Sequence, residues 1–245
     1  ALPIFKKTLK KCLKEKNLPH LLFYGPPGCG KTSTIFALTK ELFPSKIRSE
    51  RVLELNASDE RGINVVRNRI KNFAKNSVGK SVKNVPPWKI IILDEADSMT
   101  NDSQFALRRI IEKYSHITRF CIICNYKNKI IEPLISRCST FRFKCLKPTQ
   151  IINRLKLICK HENIDYSDKI LEQINITSRG DLRKAITYLQ MCYSTFGNDL
   201  DLETMYELTG NISKQQLEEL FIIVKNGTTT ELIGKIEDFE NNGYS

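Results

Sequence analysis

Apolar positions follow one pattern up to residue 146 and another pattern after it. The first part contains short continuous apolar runs, and segments with helical spacing separate them. Continuous rather than alternating runs are typical of strands buried on both faces of a parallel sheet. The runs are LLFYG (21–25), VLEL (52–55), KIIILD (89–94), RFCIIC (119–124) and TFRF (140–143). Residues 1–146 are therefore predicted to form an α/β domain around a parallel five-stranded sheet.

The segments between these runs have helical character, namely KTSTIFALTKELF, INVVRNRIKNFAK and SQFALRRIIEKY. After Pro148 the strand signals stop, and TQIINRLKLICKHEN, SDKILEQINITS and DLRKAITYLQMCYST all have amphipathic helical spacing. A small all-helical domain is predicted over 147–210. Two more helical patterns, KQQLEELFIIVK and TTELIGKIEDFE, lie in 211–245. Because two helices alone bury their apolar faces poorly, this last segment is predicted to begin a third, truncated helical domain.

The composition is that of a soluble globular protein, with 41% hydrophobic and 27% charged residues in 245. The sequence contains no run of about 18 apolar residues, so no membrane span is predicted. The first residues are too charged for a signal peptide. Eight cysteines are dispersed along the chain. CIIC (Cys121, Cys124) has the spacing of a metal or redox pair, but it lies within an apolar run and no second pair follows. Buried reduced thiols, and hence the cytosol or nucleus, are predicted.

A phosphate-binding motif, GPPGCGKT (25–32), lies between a predicted strand and a predicted helix, which is the context that the motif requires. Its glycines let the backbone approach phosphate oxygens. Lys31 is predicted to reach the β- and γ-phosphates, and the Thr32 hydroxyl to bind Mg²⁺. The alternative is a glycine-rich turn, which the strand, lysine and threonine together disfavour. The predicted nucleotide contacts are Gly25, Pro26, Pro27, Gly28, Cys29, Gly30, Lys31, Thr32 and Ser33.

An acidic pair ends the apolar run IIILDEAD. Asp94 is predicted to hold Mg²⁺, and Glu95 to polarise the attacking water. Two adjacent carboxylates are costly on a purely structural apolar strand. Asp97 and Ser98 are predicted to cap the following turn. The letters D-E-A-D also occur in RNA helicases, which need a second α/β domain and a Ser-Ala-Thr after the acidic stretch; here SMTNDSQFALRR follows, so that interpretation is rejected.

A basic run extends from Arg61 to Lys83, with seven Lys/Arg residues and no acid, in a chain of net charge +12. Such a run is either a solvated face or the contact surface for a polyanion. Charge alone does not name the partner.

Seven stretches occur in the order seen in the small subunits of replication factor C: FYGPPGCGKTSTI, ELNASDERGI, KIIILDEADSMT, ALRR, TRFCIICNY, PLISRCSTFRF and GDLRKAI. Over about residues 18–186 the chain resembles these AAA+ subunits of the eukaryotic sliding-clamp loader. SRC after a strand that ends in Asn is a clamp-loader signature rather than a general P-loop feature. The resemblance implies an AAA+ P-loop NTPase fold, a helical lid at 147–210 and the start of a helical collar at 211–245. It also implies an ATPase that is active mainly in the assembled complex.

The resemblance implies roles for four further residues. Asn125 is similar to the sensor 1 residue that contacts the γ-phosphate or the attacking water, although an asparagine at this point is also an ordinary turn residue. Arg183 is similar to the sensor 2 residue of the lid, placed in the first helical turn if Asp181 is the N-cap; the alternative is an exposed helix arginine. Arg137 of SRC is similar to the arginine finger that acts in trans on the adjacent subunit's nucleotide. Asn56 resembles the polar residue that restrains Glu95 until DNA binds.

The partners implied are the other subunits of a hetero-pentamer, the sliding clamp (PCNA) and primer–template DNA, in the nucleus, with ATP and Mg²⁺ as nucleotide and metal. Contacts to the DNA backbone without base reading are expected of Arg61, Arg67, Arg69 and Lys71. The family's segment that closes over the adenine ring is not found before Gly25, and the collar is incomplete, so weaker adenine contacts and impaired assembly are expected.

Two alternatives remain at this point. Another AAA+ DNA-remodelling ATPase is disfavoured by SRC. A scaffold subunit that binds nucleotide without hydrolysing it is disfavoured by the intact Lys31, Thr32, Asp94 and Glu95.

Overall fold

The computed structural model describes residues 17–58, 63–76, 85–198, 202, 205–206, 210, 212 and 214–241. The chain divides into two compact units, Ala1–Cys145 and Leu146–Ser245. The predicted further division of the second unit at residue 210 stays a prediction. None of the described helices is both long enough and apolar enough to cross a membrane.

The first unit alternates strands and helices along the chain. Its strands are β1 (Leu21–Tyr24), β2 (Val52–Asn56), β3 (Lys89–Asp94), β4 (Thr118–Cys124) and β5 (Ser139–Arg142). Its helices are α1 (Lys31–Leu42), α2 (Ser45–Arg51), α3 (Ile63–Lys75), α4 (Asn101–Tyr114) and α5 (Glu132–Ile135), with 3-10 helices at Ala96–Ser98 and Lys127–Lys129. The five strands pair in parallel in the order β2-β3-β4-β1-β5. The predicted parallel five-stranded sheet is therefore confirmed.

The sheet separates two hydrophobic clusters, because successive side chains of a strand point to opposite faces. On β3, Ile91 and Leu93 pack in one cluster with α3 and α4, while Ile90 and Ile92 pack in the other with α1. This two-sided burial accounts for the continuous apolar runs.

Cys121 and Cys124 belong to different clusters, so they lie on opposite faces of the sheet. Burial raises the pKa of Cys124 to about 12. Both are free thiols, as predicted, and this arrangement does not suit a shared metal ion.

All five strands point the same way, so their carboxyl ends meet at one edge of the sheet. The phosphate-loop motif follows β1 at this edge, Asp94 ends β3 with Glu95 directly after it, and Asn125 follows β4. The topology thus collects the candidate residues of the first unit on one rim.

The second unit is helical over the residues that the structure describes. Its longer helices are α6 (Pro148–Glu162), α7 (Asp168–Ser178), α8 (Leu182–Phe196), α9 (Lys214–Asn226) and α10 (Thr229–Asn241). Helices α6, α7 and α8 share a core that includes Leu155, Ile174 and Leu189. Helices α9 and α10 instead expose several large apolar side chains, among them Phe221, which is 70% exposed.

Candidate active site

The phosphate loop turns from β1 into α1 through three glycines with positive φ angles, 145° at Gly25, 63° at Gly28 and 87° at Gly30. A Cβ atom at Gly25 would lie 2.1 Å from the Phe143 carbonyl oxygen, so only glycine fits there. No side chain caps the N-terminus of α1. The first amides of α1 therefore remain available to a phosphate group.

Lys31 lies at the centre of the loop and is 8% exposed. Its Nζ donates hydrogen bonds to the carbonyl oxygens of Gly25 (2.9 Å) and Pro26 (2.8 Å), and to Asn125 Oδ1 (2.9 Å). The structure thus brings Lys31 and Asn125 together, although 94 positions separate them in the sequence. This cation and this amide can act on the same phosphate group.

Cys29 and Ser33 occupy different positions around the loop. The Cys29 thiol is buried and donates to the Pro26 carbonyl oxygen at 2.9 Å. Burial raises the pKa of this thiol, with nearby Lys31 acting in the opposite direction, so the thiol stays protonated at neutral pH. Ser33 lies exposed in the first turn of α1. The Cys29 side chain thus makes a hydrogen bond within the loop.

Thr32 and Asp94 form a direct pair at the carboxyl edge. Thr32 Oγ1 donates to Asp94 Oδ2 at 2.7 Å, across 62 positions of sequence. A hydroxyl and a carboxylate are hard oxygen donors of the kind that Mg²⁺ prefers. The donor chemistry of this pair therefore fits the predicted magnesium ion.

Glu95 adopts a left-handed conformation, with φ 52° and ψ 37°. For a residue other than glycine this costs on the order of 1–3 kcal/mol. Ser98 holds the turn, because its backbone N–H and its hydroxyl both donate to the Glu95 carbonyl oxygen. The strained turn directs the chain away from β3 and leaves the Glu95 side chain exposed. A carboxylate in this position can accept a proton from a water molecule beside the loop.

The expectation that Asp97 caps the following turn is wrong, whereas Ser98 closes the turn through its bonds to the Glu95 carbonyl oxygen. Thr100 is the N-cap of α4, and its Oγ1 accepts from the backbone N–H of Ser103. Asp97 Oδ2 instead accepts from the backbone N–H groups of Asn125 (3.2 Å) and Tyr126 (3.3 Å). Asp97 thereby fixes the loop that carries Asn125.

Gln104 is a further residue of the site, and the sequence patterns did not identify it. It is 1% exposed, and its Nε2 donates to the carbonyl oxygens of Met99 (3.2 Å) and Lys129 (2.9 Å). Its Oε1 accepts from the Ile131 N–H at 2.9 Å. Gln104 therefore ties the loop after β3 to the loop after β4. The sequence signal was a glutamine at an apolar position of an amphipathic helix.

Asn56 lies opposite Asp94 in the β2–β3 register. Its Oδ1 accepts from the backbone N–H of Ser58 (3.1 Å) and from the Ser58 hydroxyl (3.0 Å). Asn56 thus ends the strand neighbouring the acidic pair, and its role in restraining Glu95 stays a prediction.

The two candidate arginines lie in different units. Arg137 follows α5, and its guanidinium contacts Pro133, Ser136 and Glu112. Arg183 lies exposed in the first turn of α8, where Asp181 Oδ1 accepts from its backbone N–H at 2.8 Å. The predicted N-cap at Asp181 is confirmed. The roles of both arginines toward a nucleotide stay predictions.

Part of the predicted DNA surface is visible on α3. Arg69 and Lys71 are exposed, whereas Arg61 and the Arg67 side chain lie outside the described residues. Lys71 lines a cleft of about 420 Å³ between α3 and α4, together with Arg109 and Lys113. No carboxylate is among the lining residues: Asn68, Lys71, Ala106, Arg109, Ile110, Lys113 and Tyr114. The cleft adds two cations from α4 that were not recognised in the sequence.

Two family models match the chain. One, described as ATPase family associated with various cellular activities (AAA), matches residues 21–146. The other, described as RCF1/5-like, AAA+ ATPase lid domain, matches residues 153–194. The two matches together cover the sheet domain and helices of the second unit.

Two relatives share about half of the aligned residues with this chain, which spans about two thirds of their length. Replication factor C subunit 2 of Saccharomyces cerevisiae is 51% identical, and the alignment covers 97% of this chain and 70% of that protein. Replication factor C subunit 4 of Homo sapiens is 49% identical, with 97% of this chain and 67% of that protein covered. Among the small subunits, the stretches NASDERGI and IIILDEADSMT resemble most the one called 4 or 2, depending on the naming scheme. The names of these relatives agree with that resemblance.

The fold also resembles that of a solved motor protein. The Thermotoga maritima RuvB Holliday junction branch migration motor superposes with a TM-score of 0.62 at 16% identity, and the match covers 91% of this chain and 76% of that one. At this identity the likeness concerns the fold alone.

Proposed function

Because the chain belongs to the replication factor C subunits of the AAA ATPase family, we propose that it hydrolyses ATP to drive clamp loading. In this proposal the assembled loader opens a ring-shaped sliding clamp and places it on primer–template DNA. The observation that carries the proposal is the hydrogen-bonded set at the carboxyl edge, in which Lys31 meets Asn125 and Thr32 meets Asp94. These pairs supply a phosphate contact and a magnesium contact side by side.

Each residue has a separate task in this proposal. Lys31 and the amides of the loop bind the β- and γ-phosphates. Thr32 and Asp94 would hold Mg²⁺, which neutralises charge on the phosphate oxygens when it is bound. Glu95 takes a proton from the attacking water, and Asn125 orients that water.

Two arginines, one in each unit of the chain, complete the proposed mechanism. Arg183 is proposed to act on the γ-phosphate as the sensor 2 residue that its resemblance implies. Arg137 serves the nucleotide of the adjacent subunit. The site is then complete only in the assembled ring, and the chain assembles with other clamp-loader subunits.

We also propose the finer partners: a hetero-pentameric loader, the clamp PCNA and primer–template DNA, in the nucleus. Within the second unit, residues 147–210 would form the lid and 211–245 would begin the collar. The exposed apolar side chains of α9 and α10 support this proposal, because a collar would cover them with neighbouring helices.

Glu95→Gln should retain ATP binding and stop hydrolysis. The amide keeps the shape of the carboxylate but cannot take the proton, and general-base catalysis is worth roughly 10²–10⁴-fold. Turnover by the assembled complex and ATP affinity by calorimetry measure the two effects. Glu41→Gln, at an exposed position of α1, is the matched control.

If the Glu95→Gln complex hydrolyses ATP at the parental rate at this site, Glu95 is not the base. If the parental site itself shows no turnover in the full complex, the alternative of a non-hydrolysing scaffold subunit holds.

Replacing Lys71 and Arg109 by Gln should weaken DNA binding by the assembled loader about equally for all sequences. Phosphate contacts carry no base information, and each lost contact lowers the log–log salt slope by roughly 1. Titrations with labelled primer–template DNA at several salt concentrations measure the slope. Lys46→Gln, on α2, is the control. An unchanged slope would exclude the α3–α4 cleft as the DNA surface.

A further inference from the structure

Glu112 of α4 lies between two arginines. Its Oε1 accepts from Arg108 Nε at 3.0 Å and contacts Arg137 Nη2 at 2.6 Å. Both guanidinium groups therefore share one carboxylate oxygen. Arg108 precedes Glu112 by one turn of the same helix, whereas Arg137 follows α5. The Glu112 carboxylate thus links Arg137, which follows α5, to helix α4.

The guanidinium of Arg137 is held from two directions. Nη1 donates to the Pro133 carbonyl oxygen at 2.7 Å, on the α5 side, while Nη2 contacts Glu112 on the α4 side. A guanidinium has five N–H donors, so donors remain for another acceptor. Contacts at two nitrogen atoms restrict the orientation of the group. Arg137 is therefore oriented while it keeps donors to offer.

The pair is exposed to solvent, with side chains 34% exposed at Arg137 and 40% at Glu112. Ion pairs of this kind contribute little to folding stability. The hydrogen bond from Arg108, followed by the charges of Arg108 and Arg137, lowers the pKa of Glu112. The carboxylate stays ionised at neutral pH, and with two arginines the cluster keeps a net positive charge.

We propose that Glu112 is the positioning residue of Arg137: it orients the guanidinium on the subunit surface for the neighbour's nucleotide, and Arg108 braces Glu112. This rests on the proposed action of Arg137 in trans. An exposed arginine without such a contact loses rotamer freedom when it engages a phosphate. An arginine oriented beforehand avoids much of that loss, and orientation contributes directly to rate.

Glu112→Gln should lower turnover at the neighbouring site by roughly 10- to 100-fold, the cost of a misplaced catalytic group. The measurement uses an assembled loader in which the neighbouring site is the sole hydrolysing one. The KM for ATP at that site and the nucleotide affinity of this subunit should stay unchanged, because in this proposal Glu112 touches neither subunit's nucleotide and acts only through Arg137. Asp102→Asn, at the start of the same helix, is the matched control.

A double substitution separates positioning from other roles of Glu112. Glu112→Gln combined with Arg137→Ala should be no slower than Arg137→Ala alone, since Glu112 acts only through Arg137. A further loss in the double variant would overturn the proposal. Faster turnover in Glu112→Gln would also overturn it, because Glu112 would then restrain the arginine. If Arg137→Ala alone has no effect on the neighbouring site, the action in trans fails, and the positioning role fails with it.

Discussion

Arg137→Ala is expected to silence ATP hydrolysis in the adjacent subunit while this subunit binds its own ATP as before. The described contacts of Arg137 are with Pro133, Ser136 and Glu112, and none of these lies in the phosphate loop of its own chain. The proposed set of Lys31, Asn125 and Arg183 already serves the γ-phosphate in cis. An arginine finger is worth roughly 10³–10⁵ in rate in related nucleotide hydrolases. The isolated chain should therefore bind ATP and hydrolyse it barely above background.

A mixing experiment tests this arrangement. Arg137→Ala and Glu95→Gln are placed on the same subunit or on adjacent subunits, and the turnover of each site is followed. Arg154→Ala, at an exposed position of α6, is the control. If Arg137 acts in trans, Arg137→Ala lowers ATP turnover at the nucleotide site of the adjacent subunit that Arg137 contacts. A loss confined to the site on its own chain would mean that the arginine acts in cis and that the proposed ring arrangement is wrong.

Lys31→Ala should abolish detectable ATP binding and leave the fold intact. The Nζ atom of the buried Lys31 donates hydrogen bonds to two carbonyl oxygens of the phosphate loop and to Asn125. Charge-assisted hydrogen bonds contribute roughly 1.5–3 kcal/mol each. The loss of two bonds to phosphate lowers the affinity by about 10²-fold or more. All turnover at this site is lost with the nucleotide.

Calorimetry measures the affinity, and thermal unfolding checks that the variant is folded. Lys40→Ala removes the same charge from the exposed last turn of α1 and should bind ATP like the parent. Equal affinities of Lys31→Ala and the parent would refute the assignment of the phosphate loop.

The sequence by itself determined the elements and the two contiguous motifs. The strands follow from continuous apolar runs, which are a local pattern; the structure buries these runs on both faces, as the split of β3 between two clusters shows. The phosphate loop follows from its glycines, because a positive φ angle or a close backbone approach requires glycine, as at Gly25. The short helices α2 and α5 were missed, because seven and four residues are too few to display an amphipathic period.

Only the tertiary structure decided which of these residues meet. The strand order places β4 between β1 and β3, and this brings Asn125 to Lys31. Asp97, Gln104 and Glu112 owe part of their contacts to the same packing: each is a polar side chain with at least one partner in a distant segment of the chain. Apolar spacing along the chain specifies which face of an element is buried. It does not specify which element covers that face, because any apolar surface of suitable shape satisfies the hydrophobic effect, whereas hydrogen bonds need their partner at one distance and angle.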